Sequence, residues 1–150
     1  MTSRILFVCL GNICRSPAAE GVFRSLAPEV ETDSCGTGDW HVGSAPYAPM
    51  QEAAKARGYD LSDLRARQFD PGDFHRFDLI LAMDAQNLSD IEAQRPSDSA
   101  TPVKLFTDFA PEAGMDHVPD PYFTRDFDGA LTLIEQAAKG LQADLGARSE

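Results

Sequence analysis

The sequence predicts a doubly wound α/β fold, a sheet of about four parallel strands with helices on both faces. Three observations carry this. Residues 5–8, 79–82 and 103–106 are short apolar runs of strand length, each bounded by polar or turn residues. Helical apolar spacing fills the intervals between them. At 150 residues, 43% hydrophobic and 25% charged, the chain suits one globular unit over 1–150. Such runs alternating with amphipathic helices belong to a parallel sheet covered on both sides, with its site beyond the carboxyl ends of the strands.

The elements follow in order. The first run ends at Cys9. A helix opens at Ser16-Pro17, with Ala19, Val22, Phe23 and Leu26 on one face, and stops before Pro28. Residues 30–35 form a weaker strand candidate ending at Cys35. Met50, Ala53, Ala54 and Arg57 lead to Gly58, which reads as a helix C-cap. Asp70-Pro71 marks a turn. After the third strand, Leu88 and Ile91 mark a helix. After the fourth, Phe127, Leu131, Ile134, Ala138, Leu141 and Leu145 mark a long final one. No internal repeat or low-complexity tract interrupts the series.

Charge and composition exclude several classes. The net charge is −11, from 24 acidic and 13 basic residues, which argues against nucleic acid and against anionic membrane surfaces as partners. No apolar run approaches the roughly 18–20 residues of a membrane span, and the apolar run near the amino terminus is too short for a signal peptide. The expected location is the cytoplasm, where three cysteines are expected as free thiols. His41, His75 and His117 show no ligand spacing, so neither a metal nor another cofactor is expected.

The chemistry concentrates in FVCLGNICRSP, residues 7–17. Cys9 closes a strand. Leu10, Gly11, Asn12, Ile13 and Cys14 form a loop, and Arg15 and Ser16 stand where a helix begins. A helix N-terminus offers unpaired N–H groups and a positive dipole end. Gly11 and Asn12 tolerate left-handed backbone, so the loop can turn further N–H groups inward and cradle a phosphate. Arg15 adds a planar fork that can hold two phosphate oxygens. Cys9 at the base of that positive potential is favoured as a thiolate, to which Ser16 can donate. A thiolate beneath a bound phosphate is a nucleophile aimed at phosphorus. The stretch lacks the Gly-Lys-Ser/Thr of nucleotide-binding loops.

Transfer to the thiolate needs an acid for the leaving group. Asp120, stiffened by Pro119 and Pro121 and placed after the last strand, is the candidate, although an Asp-Pro step is ordinarily a turn. Trp40 and Tyr122 are aromatics in loops that could sandwich a flat substrate ring or simply be half-buried packing. Cys35 reads as structural. Cys14 is close enough in sequence for the loop to bring its Cα within the roughly 4.4–6.8 Å of Cys9 that a disulfide requires, making it a candidate redox partner that protects an oxidised Cys9.

VCLGNICRSP closely resembles the signature loop of the low-molecular-weight protein tyrosine phosphatases. DPYF resembles that family's acid loop, and GTGDWHVG, RARQF and AMDAQNL match further segments in the same order. The resemblance runs from about Arg4 to the final helix. It implies a flavodoxin-like domain in which Cys9 is the nucleophile, Arg15 the phosphate clamp and Asp120 the general acid. It makes Asn12 and Ser16 loop organisers, and has Trp40 and Tyr122 line a slot for phosphotyrosine. The implied partners are tyrosine-phosphorylated proteins or other aryl phosphates. Two positions depart from the pattern: Tyr47 in SAPYAP, where many relatives carry an acidic residue, and Leu64, where many carry histidine. Arsenate reductases of the same fold need a relay of later cysteines, and none follows Cys35 here. A catalytically idle phosphate-binding or redox-sensing module is the third reading.

Overall fold

The computed structural model describes residues 4–149. Strand β1 (Arg4–Cys9) leads to helix α1 (Arg15–Leu26), β2 (Glu31–Gly36), α2 (Ala48–Ala56), the single turn α3 (Asp73–Arg76), β3 (Leu79–Ala82), α4 (Ala85–Glu92) and β4 (Val103–Leu105). Short 3-10 turns over Phe106–Phe109 and Pro111–Ala113 carry the chain to α5 (Pro121–Thr124) and the long α6 (Phe127–Ser149). The strands are all parallel, in the order β2-β1-β3-β4. The chain therefore winds one way from β1 to β2 and the other way to β3 and β4. A crevice opens where that direction reverses, at the carboxyl end of β1.

Both faces of β1 are covered, and its side chains divide between them by the period of two. Ile5, Phe7 and Cys9 pack into one cluster with Val22 and Phe23 of α1 and Ile134 and Ala138 of α6. Leu6 and Val8 pack into the other with Phe69, Phe74, Phe77 and Ile91. That two-sided burial is why β1 reads as an uninterrupted apolar run. Each large apolar side chain buried there contributes roughly 1.5–3 kcal/mol.

Three boundaries differ from expectation for physical reasons. β2 is an edge strand whose first residues, Glu31 to Asp33, remain at least partly exposed, so only its end carries an apolar signal. β4 stops at Leu105 because Phe106 turns inward to meet Phe7, with ring centroids 5.2 Å apart. Helix α1 begins at Arg15, before Ser16-Pro17, leaving Pro17 in the first turn where its missing N–H removes no intrahelical bond. Gly58 follows the end of α2 with φ +91, as a glycine stop should. Asp70-Pro71 turns, Asp73 N donating to Asp70 O at 2.8 Å.

Candidate active site

β1 delivers Cys9 to the crevice, and residues 10–14 curl from it into α1. Outward-facing partners take the loop's carbonyls: Thr37 N donates to Cys9 O at 2.9 Å, Gly38 N to Leu10 O at 2.9 Å and Tyr47 N to Ile13 O at 2.8 Å. The N–H groups of Gly11, Ile13 and Cys14 find no acceptor among the described residues, while Asn12 N donates to Cys9 Sγ at 3.2 Å. These are the amides that an anion above the sulfur can use.

The left-handed bend falls at Asn12, with φ 56, and not at Gly11. A left-handed non-glycine residue costs on the order of 1 kcal/mol, and the Asn12 carboxamide offsets this with three bonds. Its Nδ2 donates to Ser16 Oγ at 2.7 Å and to Ser34 Oγ at 3.0 Å, and its Oδ1 accepts from Arg67 N at 3.0 Å. Ser34 in turn donates to Glu20 Oε1 at 2.7 Å. Burial pushes the Glu20 carboxyl up to about 7, with the Ser34 hydrogen bond opposing and the Asp33 charge adding to the rise. Ser16 Oγ lies 3.0 Å from Cys9 Sγ and 3.3 Å from Cys35 O. Its single proton goes to the sulfur when Cys9 is ionised, since a thiolate is the stronger acceptor. The loop also rests against the end of β2: a Cβ on Gly36 would stand 2.6 Å from Leu10 O.

Arg15 is 3% exposed, yet its guanidinium reaches the crevice between two carboxylates. Nη1 donates to Asp84 Oδ2 at 2.8 Å and to Val118 O at 3.1 Å, and Nη2 lies 3.6 Å from Asp120 Oδ2. Asp84 caps α4 with its other oxygen, which accepts from Asn87 N at 2.7 Å. One carboxylate thus fixes a helix end and the fork of Arg15. Asp120 does likewise, its Oδ1 accepting from Tyr122 N at 3.1 Å at the start of α5. Val118 N donates to Met83 O at 2.8 Å, which ties the segment before Asp120 to the end of β3.

Cys9, Arg15 and Asp120 line one cleft of about 260 Å³, with Trp40 and Tyr122. Trp40 is 71% exposed, Tyr122 43% and Phe123, which also lines the cleft, 73%. Burial pushes Cys14 up to about 12, with the charges of Asp120 and Cys9 adding and those of Arg15 and Arg125 opposing. Burial holds Cys35 well above the ordinary thiol value too, and its side chain packs into the second cluster. The structure therefore gathers all the expected site residues and leaves Cys35 in the core. Sequence reasoning missed Asp84, Phe123 and Gly36, and it read His41, which also lines the cleft, only as lacking ligand spacing. For Asp84 a signal existed: a carboxylate directly after an apolar strand and at the N-cap of the next helix lies at the carboxyl edge of the sheet. Of the two departures from the resemblance, Tyr47 stands 5.2 Å from Tyr122 between ring centroids, and Leu64 packs against the first cluster.

A doubly wound sheet that presents a cysteine, an amide-lined loop and a buried arginine at its switch point fits a cysteine-dependent enzyme of phosphate esters. The chain belongs to the low molecular weight phosphotyrosine protein phosphatase family, whose pattern it matches over residues 4–150. It is 45% identical to a low molecular weight protein-tyrosine-phosphatase of Streptomyces coelicolor, covering 95% of this chain and 93% of that one. The crystal structure of YfkJ from Bacillus subtilis superposes with a TM-score of 0.93 at 34% identity, covering 100% of this chain and 98% of that one. A product-state mimic structure of a protein tyrosine phosphatase from Entamoeba histolytica gives 0.91 at 33% identity, with 97% of each chain covered.

Proposed function

We propose that the protein hydrolyses phosphotyrosine and other aryl phosphate monoesters through a phosphocysteine intermediate. The observation that carries this is the convergence of Cys9 Sγ, the Arg15 fork and the Asp120 carboxylate on one cleft. In the first step the Cys9 thiolate attacks phosphorus in line. The S–P bond forms as the bond to the phenol oxygen breaks, and Asp120 in its acid form gives that oxygen a proton. Arg15 and the free amides of Gly11, Ile13 and Cys14 hold the equatorial oxygens, whose charge they meet without reorganising. In the second step the Asp120 carboxylate takes a proton from a water that attacks phosphorus, and the S–P bond breaks to return the thiolate. Asn12 and Ser16 position that thiolate, and Trp40 and Tyr122 flank the aryl ring.

Purified protein should release p-nitrophenolate from p-nitrophenyl phosphate and should not reduce arsenate in the presence of thioredoxin. Arsenate reduction would favour the reductase of this fold, and no turnover of either would favour an idle anion-binding module. Substrates on this reading are tyrosine-phosphorylated proteins, and the chain's excess of acidic residues disfavours nucleic acid. No helix among the described residues is long and apolar enough to cross a membrane. The cysteines at 9, 14 and 35 are unpaired, which suits a reducing compartment such as the cytoplasm.

Cys14 takes the role of resolving thiol in this reading. Peroxide oxidises Cys9 to the sulfenic acid, the Cys14 sulfur then displaces its oxygen, and one disulfide and one water result. A thiol reductant returns both cysteines. Because Cys14 is held as a thiol near neutral pH, the condensation needs its proton removed first and is expected to be slow. After peroxide and then reductant, wild type should regain activity and Cys14→Ser should not. Equal recovery would assign Cys14 to packing alone.

A further inference from the structure

Beside the cleft stands a cation that the phosphatase chemistry does not use. Arg125 follows α5 in the left-handed region, φ 63, an arrangement that L side chains other than asparagine and aspartate seldom adopt. Its guanidinium lies over two rings, 5.4 Å from the centroid of Tyr47 and 5.2 Å from that of Phe127. Nη1 donates to Tyr47 Oη at 3.1 Å and to Tyr122 O at 3.4 Å. Tyr122 lines the cleft and Tyr47 packs on Tyr122, so these contacts hold the guanidinium at the cleft mouth. Its charge is felt inside, where it lowers the proton affinity of Cys14.

What Arg125 lacks is an anion. Arg4, Arg15, Arg24, Arg57, Arg67, Arg76 and Arg95 each form an ion pair. Among the described residues Arg65, whose Nη1 donates to the carbonyls of Ser62 and Leu64, and Arg125 form none, and of these two only Arg125 contacts the aromatic residues of the cleft mouth. It is exposed, and its Nε and Nη2 donate to no group among the described residues. Two adjacent N–H donors on a planar fork match the two oxygens of a carboxylate. Stacking on Tyr47 and Phe127 has already restricted the side chain, so less rotamer freedom is lost when a partner arrives. The net charge of −11 repels an acidic peptide, and a cation at the entrance opposes that repulsion locally.

We infer that Arg125, held by Tyr47, reads an acidic residue flanking the phosphotyrosine of the substrate protein. This rests on the aryl phosphatase reading and adds to it a sequence preference. The test compares two phosphotyrosine peptides that differ only in carrying Glu or Gln on both sides of the phosphotyrosine. The readout is the ratio of their kcat/KM values, in which any general effect of a variant on the chemistry cancels. Wild type should favour the Glu peptide about 2- to 5-fold at low salt, the range of exposed ion pairs. The ratio should shrink in about 0.5 M salt, where the screening length is only about 4 Å. Arg125→Gln should bring it to about 1, and Arg125→Lys should restore part of it. A wild-type ratio of 1, or an undiminished ratio in Arg125→Gln, would overturn the inference while the phosphatase reading stands. Turnover of neither peptide would overturn both.

Discussion

The loop that holds Cys9 and the aromatic mouth above it lie in one cleft but are built in opposite ways. In the loop, Cys9, Asn12, Arg15 and Ser16 are all buried and joined by hydrogen bonds to β2, α1 and the segment after α2. At the mouth, Trp40, Tyr122 and Phe123 are exposed. Tyr122 is placed by ring contacts, 5.2 Å to Tyr47 and 5.3 Å to Phe123. The chemistry needs donors held where charge develops in the transition state, so over-determined geometry serves it. Recognition of a protein surface needs exposed area, so loosely tied rings serve that. Asp120 stands between the two, capping α5 at the mouth while facing Arg15 below.

The comparison can be broken at Asp120 with the largest effect. Asp120→Asn keeps an oxygen to accept from Tyr122 N, so the geometry should survive and only the proton is lost. Hydrolysis of phosphotyrosine should fall roughly 10²–10⁴-fold. Hydrolysis of an ester of a strongly acidic phenol should fall far less, because that leaving group departs unprotonated. Equal losses on the two substrates would remove Asp120 from the acid role.

A second change sharpens the account of the loop's foundations. Glu20 titrates near 7 in the folded protein against about 4.5 for the ordinary carboxyl. The folded state therefore binds the proton more tightly than the unfolded state does. This stabilisation is fully present below about 4.5 and is lost as pH rises through about 7. Glu20→Gln keeps an acceptor for Ser34 and removes the buried charge. Above pH 7 it should raise the unfolding free energy by on the order of 3 kcal/mol relative to wild type. The decline of stability between the two pH values should flatten in the variant, which urea titrations across that range measure. A decline as steep as in wild type would place the titration elsewhere.

The smallest effect belongs to the mouth. Trp40→Ala should raise KM for aryl phosphates about 2- to 10-fold, the worth of one ring contact beyond buried area. The preference over phosphoserine should narrow as well. Unchanged discrimination would make the indole structural.

How far these regions were legible in the sequence follows from how each is built. β1 and β3 are buried on both faces and so are written as unbroken apolar runs. β2, an edge strand beginning with Glu31, was only faintly visible. Cys9 and Arg15 lie in one contiguous stretch because a single strand–loop–helix turn presents both, and the apolar strand before, Gly-Asn within and Ser-Pro after give their spacing its meaning. Asp84 reaches Arg15 from the neighbouring strand β3, and Ser34 and Glu20 reach Asn12 from β2 and α1. Pairings across elements leave no local periodicity to read. The sequence marks Gly11 and Asn12 alike as able to bend left-handed. The structure chooses Asn12 because only its side chain can bond Ser16, Ser34 and Arg67 at once.

The central claim, that Cys9 carries the phosphoryl group, is tested most directly by rapid quenching. The enzyme is mixed with p-nitrophenyl phosphate and stopped in acid within the first turnover. Mass analysis of its peptides should then find one added phosphoryl group on Cys9, with Cys14 and Cys35 unmodified. Cys9→Ser should neither accumulate this adduct nor turn over above background, while still binding inorganic phosphate. Phosphate trapped on another residue, or sustained hydrolysis by Cys9→Ser, would contradict the account.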